Sequence, residues 1–201
     1  MVYKTEKMIL FEKKVGLALC LVILFIALAG LSVSAQSGQK VIKELVVLFS
    51  TWSGKSPNHN IFNQAAQYID FAGMAQASLG ENNWARLTSK QQEQFVIAFR
   101  KLVEQRYYPR WHKIFCHGHI NYIGQTNTSN DTIVKTALSV GKKKDIVVWR
   151  LRPKDGELAL ISLAVNKTDL VEKLHNRFQK RLAKHNFTYL LTWLKKKLPE
   201  E

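Results

Sequence analysis

Apolar side chains recur at helical spacing through the first half of the chain, switch to strand spacing in the middle, and return to helical spacing at the end. Lys40 to Ser50 predicts a helix with Val41, Leu45 and Leu48 on one side. The polar stretch Ser53 to Asn60 (SGKSPNHN) is a predicted loop, and Ile61 to Ile69 predicts a second short helix. Asp70 is suited to cap a third, because its carboxylate can accept an orphan N–H of the first turn. Phe71, Met74, Ala75 and Leu79 then share a face, and Gly80 suits the position just past the end, where a left-handed backbone costs glycine nothing. Thr88 opens a longer helix, with Gln91 completing a capping box. Its stripe is Phe95, Ala98, Phe99, Leu102 and Val103, and Pro109 is expected to stop it.

Between Arg110 and Arg152 the period changes. Val134, Thr136, Leu138 and Val140 alternate along Thr132–Val140, with Lys135 on the other side. Val147, Trp149 and Leu151 alternate against Arg150 and Arg152. Gly141–Lys144 predicts a turn, and Asp155-Gly156 tolerates the positive φ angles of a tight hairpin. Leu158 to Val165 is apolar on both faces, as in a strand covered from both sides. With His119–Gly124 these segments predict an antiparallel meander of about four strands. Two helices then close the chain. Asp169 caps the first, whose stripe is Leu170, Leu174, Phe178 and Leu182; the second starts near Asn186 or Phe187 and carries Leu190, Leu191, Leu194 and Leu198.

The N-terminus changes this picture. Lys13 and Lys14 precede an uncharged apolar run, Val15 to Leu31, and Val33-Ser34-Ala35 places small residues at a cleavage site. That is the pattern of a signal peptide, 1–35, leaving one domain, 36–201. An uncleaved membrane anchor is the alternative, since such a run is just long enough to span a bilayer. The formal net charge is +15, and the segment after Ala35 remains strongly basic. Nucleic acid, an anionic membrane and an acidic protein are the partner classes such charge admits. Export disfavours nucleic acid, no aromatic–basic motif for stacking bases is present, and an anionic bilayer fits better. After Ala35 only Cys116 remains, so no disulfide can form within the domain and packing must stabilise it.

Candidate chemistry is sparse. Cys116, His117 and His119 form a compact cluster of metal-ligand types, but their spacing lacks the gap usual between zinc ligands and no second pair lies nearby. Cys116 and His117, as neighbours on a strand, would point to opposite faces and so pair poorly as nucleophile and base. There is no Gly-rich phosphate loop, serine elbow or carboxylate–histidine metal motif. The sequence therefore predicts no catalytic residues, no metal and no cofactor.

The stretch Asp70–Tyr108 also carries a resemblance. Asp70, Phe71, Met74, Ala75, Leu79, Gly80, Trp84, Thr88, Phe95, Val96, Ala98, Phe99, Arg100, Leu102 and Tyr107 resemble the corresponding run of the MlaC family of bacterial periplasmic phospholipid carriers, the toluene-tolerance auxiliary family. A second stretch matches at Val147, Trp149, Arg150, Leu151, Arg152, Asp155, Gly156 and Phe178, but Leu158 replaces a tryptophan, Ser162 an aspartate, Lys167 a glycine and Asp169 a serine. The resemblance implies an α+β fold in which a curved, mostly antiparallel sheet is wrapped by N- and C-terminal helices, with an apolar cavity between them. It implies a monomeric, non-enzymatic carrier of phospholipid in the periplasm, working between an outer-membrane lipoprotein complex and an inner-membrane ABC transporter and so maintaining outer-membrane lipid asymmetry. Phe71, Met74, Phe95, Phe99, Leu102, Val103, Val147, Trp149 and Leu151 are then the candidate lipid-binding residues, with Arg106, Arg150 and Arg152 as candidates for a phosphate-facing rim. Pattern alone would read the same apolar residues as ordinary core. A secreted or anchored α+β enzyme with a small-ligand pocket, or an adaptor, remains the alternative.

Overall fold

The computed structural model describes residues 38–54 and 58–197. The expected signal segment, and Leu198 of the last helical stripe, lie outside the described residues. Helix α1 (Gly38–Thr51) buries Val41, Ile42, Leu45 and Phe49, so Phe49 takes the inward position and Leu48 is only half-buried. Helix α2 (His59–Ala66) follows, capped by the side chain of Asn58. Helix α3 (Phe71–Leu79) starts where expected, with the Asp70 carboxylate accepting from Gly73 N–H. Glu81–Trp84 is a single helical turn, α4. Helix α5 (Ser89–Arg106) begins with the full capping box of Thr88 and Gln91.

The long helix ends before Pro109, as expected, but strand spacing does not begin at Arg110. Tyr107 ends α5, and Pro109 sits in the first turn of a further helix, α6 (Tyr108–Phe115). There its missing N–H costs nothing and its fixed φ favours helix entry. Tyr108, Trp111 and Phe115, at i, i+3 and i+7, are its buried face.

The sheet has five strands in the order β1-β2-β3-β4-β5, each antiparallel to its neighbour. They are β1 (His119–Asn127), β2 (Thr132–Val140), β3 (Lys143–Lys154), β4 (Glu157–Val165) and the two-residue β5 (Thr168–Asp169). The β3–β4 hairpin turns through Asp155 (φ 52°) and Gly156 (φ 85°), as the Asp-Gly pair predicts. The register shifts twice, in β1 near Ile123 and where Arg150 pairs Ser162 while Leu151 pairs Leu160. The second shift leaves Ile161 as an extra residue, a bulge that bends a strand and sharpens its twist. At that bend Leu160 N–H donates to Tyr68 O (2.8 Å) and Asp70 N–H donates to Leu160 O (2.9 Å). The bulge thus ties the start of α3 to the sheet.

Helices α7 (Leu170–Leu182) and α8 (Phe187–Lys196) complete the fold. Helix α7 packs on α3 and β4, and α8 packs on α5. On the other flank α1 packs on α6 and reaches β2 and β4. Strand β4 is therefore covered on both faces, which is why Ala159 through Leu163 are all buried and its sequence does not alternate. Most of the buried apolar residues form one continuous cluster. Among the described residues no helix is long and apolar enough to cross a membrane.

Candidate functional site

The nine candidate lipid-binding residues fall in two groups within that cluster. Val147, Trp149 and Leu151 line the inner face of β3, with Val134, Thr136 and Leu138 beside them on β2. Alternation at period 2 sends all six the same way. Trp149 is 1% exposed; its indole N–H donates to Thr136 Oγ1 at 2.9 Å, and its ring stacks on Phe115 of α6 with centroids 5.7 Å apart. Helix α1 closes over this face. A Cβ on Gly38 would lie 2.6 Å from Val134 and 2.8 Å from Leu151, so only glycine admits that approach.

The second group, Phe71, Met74, Phe95, Phe99, Leu102 and Val103, comes from α3 and α5. Phe95 meets Phe178 of α7 at 5.7 Å, Phe187 at 5.9 Å and Phe99 at 6.3 Å. Phe71 lies at the edge, under the Arg100 guanidinium at 5.4 Å from its ring. All nine are enclosed, at 0–7% exposure. The single cluster joins the two groups. The same cluster holds an aromatic layer that sequence reading missed: Phe49, Tyr108, Trp111 and Phe115, with Phe49–Tyr108 centroids 4.6 Å apart. The spacing of Tyr108, Trp111 and Phe115 around a proline in the first turn was the available signal.

Polar groups in this interior are few, and some are orphaned. The Tyr108 hydroxyl is fully buried without a hydrogen-bond partner. Its burial, and then the charge of Glu104, push its pKa far above the usual phenol range, with Arg100 opposing. The Trp52 indole N–H and Ser78 hydroxyl are likewise buried without partners.

The three candidate rim arginines do not converge. Arg150 and Arg152 project from the face of β3 opposite Trp149, and both grip Asp131, at 2.8 and 2.9 Å. Burial alone would raise the Asp131 carboxyl, but hydrogen bonds from Arg152 and Arg150, and their charges, outweigh it and hold the group below its ordinary value. Arg106 donates to Lys197 O at 2.8 Å, binding the end of α5 to the end of α8. Cys116 ends α6, its thiol near Lys113 O at 3.8 Å, and His119 begins β1. Among the described residues no three His, Cys, Asp or Glu side chains are grouped to hold a metal.

A concave feature lies outside the core. A groove of about 670 Å³ runs along the outer side of α7, from the β4–β5 turn to Lys184 and His185. Its walls are largely cationic, and its only acids are Asp169 and Glu172. Asp169 is engaged already: it accepts from Glu172 N–H at 2.9 Å as the helix cap, and from Ser162 Oγ at 2.6 Å.

An open antiparallel sheet backed by helices, with an apolar interior between them, defines an α+β fold, and a solved structure shares it. The phospholipid-binding protein from Ralstonia solanacearum, in complex with a phospholipid, superposes with a TM-score of 0.67 at 15% identity, over 79% of this chain and 92% of that one. At that identity the likeness is one of fold. The sequence profile of the family described as MlaC protein matches residues 53–196. The chain belongs to the MlaC family. None of the curated proteins compared matches its sequence.

Proposed function

We propose that this protein is a periplasmic phospholipid carrier, not an enzyme. In this reading it shelters acyl chains among Phe71, Met74, Phe95, Phe99, Leu102, Val103, Val147, Trp149 and Leu151. It passes lipid between an outer-membrane lipoprotein complex and an inner-membrane ABC transporter. The observation that carries the reading is the continuous apolar cluster joining the inner face of β3 to α3 and α5, in a chain whose family is MlaC.

Each methylene withdrawn from water contributes about 0.8 kcal/mol. Two chains of roughly 16 carbons would therefore cost on the order of 25 kcal/mol to expose. Spontaneous crossing of an aqueous compartment is negligible at that cost, so a carrier needs apolar area far more than head-group chemistry. Because the nine residues are enclosed at 0–7% exposure, loading requires the sheet and helices to separate. The surface uncovered is covered again by acyl chain, so the net cost of opening is small beside the gain. Release is opposed by the same burial and needs a partner that favours the closed state.

Native mass spectrometry of the purified protein, followed by solvent extraction, tests the reading. Copurified diacyl lipid is expected. Protein that carries no lipid and takes none from added liposomes would overturn it.

A further inference from the structure

The outer side of α7 presents Lys173, Arg177, Lys180 and Arg181, and Lys184 follows just past its end. At i, i+4, i+7 and i+8 the first four form one column along the helix, which Lys184 extends. Like charges at these spacings destabilise a helix, and the structure supplies little to offset them. Among the described residues none of Lys173, Arg177, Lys180 and Lys184 forms an ion pair. Arg181 lies flat on Trp193, 3.7 Å from the ring, with its Nε buried and unpartnered. Lys167 adds a sixth cation at the mouth of the groove, at φ 69°, a conformation that disfavours any residue with a Cβ. Beside the far end His185 and Tyr189 stack at 3.8 Å, and Tyr189 is 43% exposed. An exposed tyrosine bordering a cationic face is the composition that settles at a bilayer interface.

We infer that the α7 face docks this protein onto an anionic bilayer surface, with Lys173, Arg177, Lys180 and Lys184 over lipid phosphates and Tyr189 at head-group level. The inference deepens the carrier reading and rests on it: docking holds the carrier at the membrane surface where those complexes exchange lipid. The column is long and uncompensated, which suits a planar sheet of phosphates.

The test is vesicle flotation of the full chain. Because Val15–Leu31 would give it a charge-independent affinity, the readout is the ratio of partitioning onto phosphatidylglycerol-containing vesicles over pure phosphatidylcholine vesicles. The groove variant is K173Q/K180Q/K184Q; the control, K135Q/K142Q/K144Q, removes the same charge from exposed positions of β2, β3 and the turn between them. Each lysine near an anionic surface contributes about fivefold. The groove variant should therefore lose on the order of 100-fold in that ratio, the control less than about fivefold, and wild type should lose its preference at about 0.5 M salt. Equal losses in both variants would make the effect one of net charge and overturn the inference. So would an undiminished ratio in the groove variant, or indifference of wild type to phosphatidylglycerol, which would leave the column to an acidic protein face. Bound lipid, read by native mass spectrometry on the same samples, fails separately. A groove variant that keeps its lipid but no longer floats marks docking alone; a wild type without lipid counts against the carrier reading.

Discussion

Thr136→Val probes the polar contact that orients Trp149. Thr136 is 1% exposed and accepts the only hydrogen bond described for the Trp149 indole N–H, at 2.9 Å. Valine keeps the shape and removes the acceptor. The indole N–H is then buried without a partner, which costs about 1–3 kcal/mol, partly offset by the added methyl. A net loss of about 2 kcal/mol is expected in urea unfolding at 25 °C. The same substitution in a Trp149→Phe background should behave oppositely. With no N–H to satisfy, Thr136 is itself the orphan, so valine should be neutral or stabilising by about 0.5 kcal/mol. The difference between backgrounds, about 2 kcal/mol, is the coupling of the pair. If Thr136→Val costs the same in both, the bond does not hold the ring, and the account of how β3 presents Trp149 is wrong.

Tyr108→Phe removes a fully buried hydroxyl that has no partner, so it should stabilise the protein by about 1 kcal/mol in the same urea assay; a loss would mean the hydroxyl is satisfied. Lys167→Gly relieves a lysine at φ 69° and should raise stability by about 0.5–1 kcal/mol in thermal unfolding, net of glycine's greater unfolded entropy; destabilisation would refute the strain. Asp131 has its carboxyl held below the ordinary 3.8 by two arginines, so its contribution is complete above that pH and is lost as pH falls through its lower folded value. Asp131→Asn should therefore reduce the urea midpoint near neutrality and flatten its decline below about pH 4; an unchanged acid limb would remove Asp131 from the acid response.

Helices with caps were legible in the sequence to within a residue or two, because Asp70, Thr88 with Gln91, Asp169 and Asn186 each announce a start by local chemistry and each is a cap in the structure. The strands were legible where one face is wet, as in β2 and β3. What was not legible depended on contacts distant in sequence. Helix α6 was hidden because a proline read as a terminator is equally an initiator, and only packing of Tyr108, Trp111 and Phe115 on Phe49 decides between them. The two-residue β5 has no period of its own; it exists because Asn166 (φ 48°) and Lys167 (φ 69°) turn the chain back on β4.

The departures from the family pattern at Ser162 and Asp169 become intelligible together. The resemblance places an aspartate and a serine there; this chain has them exchanged, and Ser162 Oγ donates to the Asp169 carboxylate. With acid and hydroxyl exchanged, the two positions are hydrogen-bonded in this chain, and Asp169 caps α7. The candidate lipid-binding residues were legible as apolar faces only. Core and cavity lining share one hydrophobic pattern.

The most direct test of the central claim is to locate bound acyl chains. A phospholipid carrying a photoactivatable group on its acyl chain would be loaded onto the protein, irradiated, and the adducts mapped by peptide mass spectrometry. The account predicts adducts on the peptides of β3, α3 and α5 that carry Trp149, Met74, Phe95 and Phe99. Adducts confined to exposed residues, with none in those segments, would contradict it.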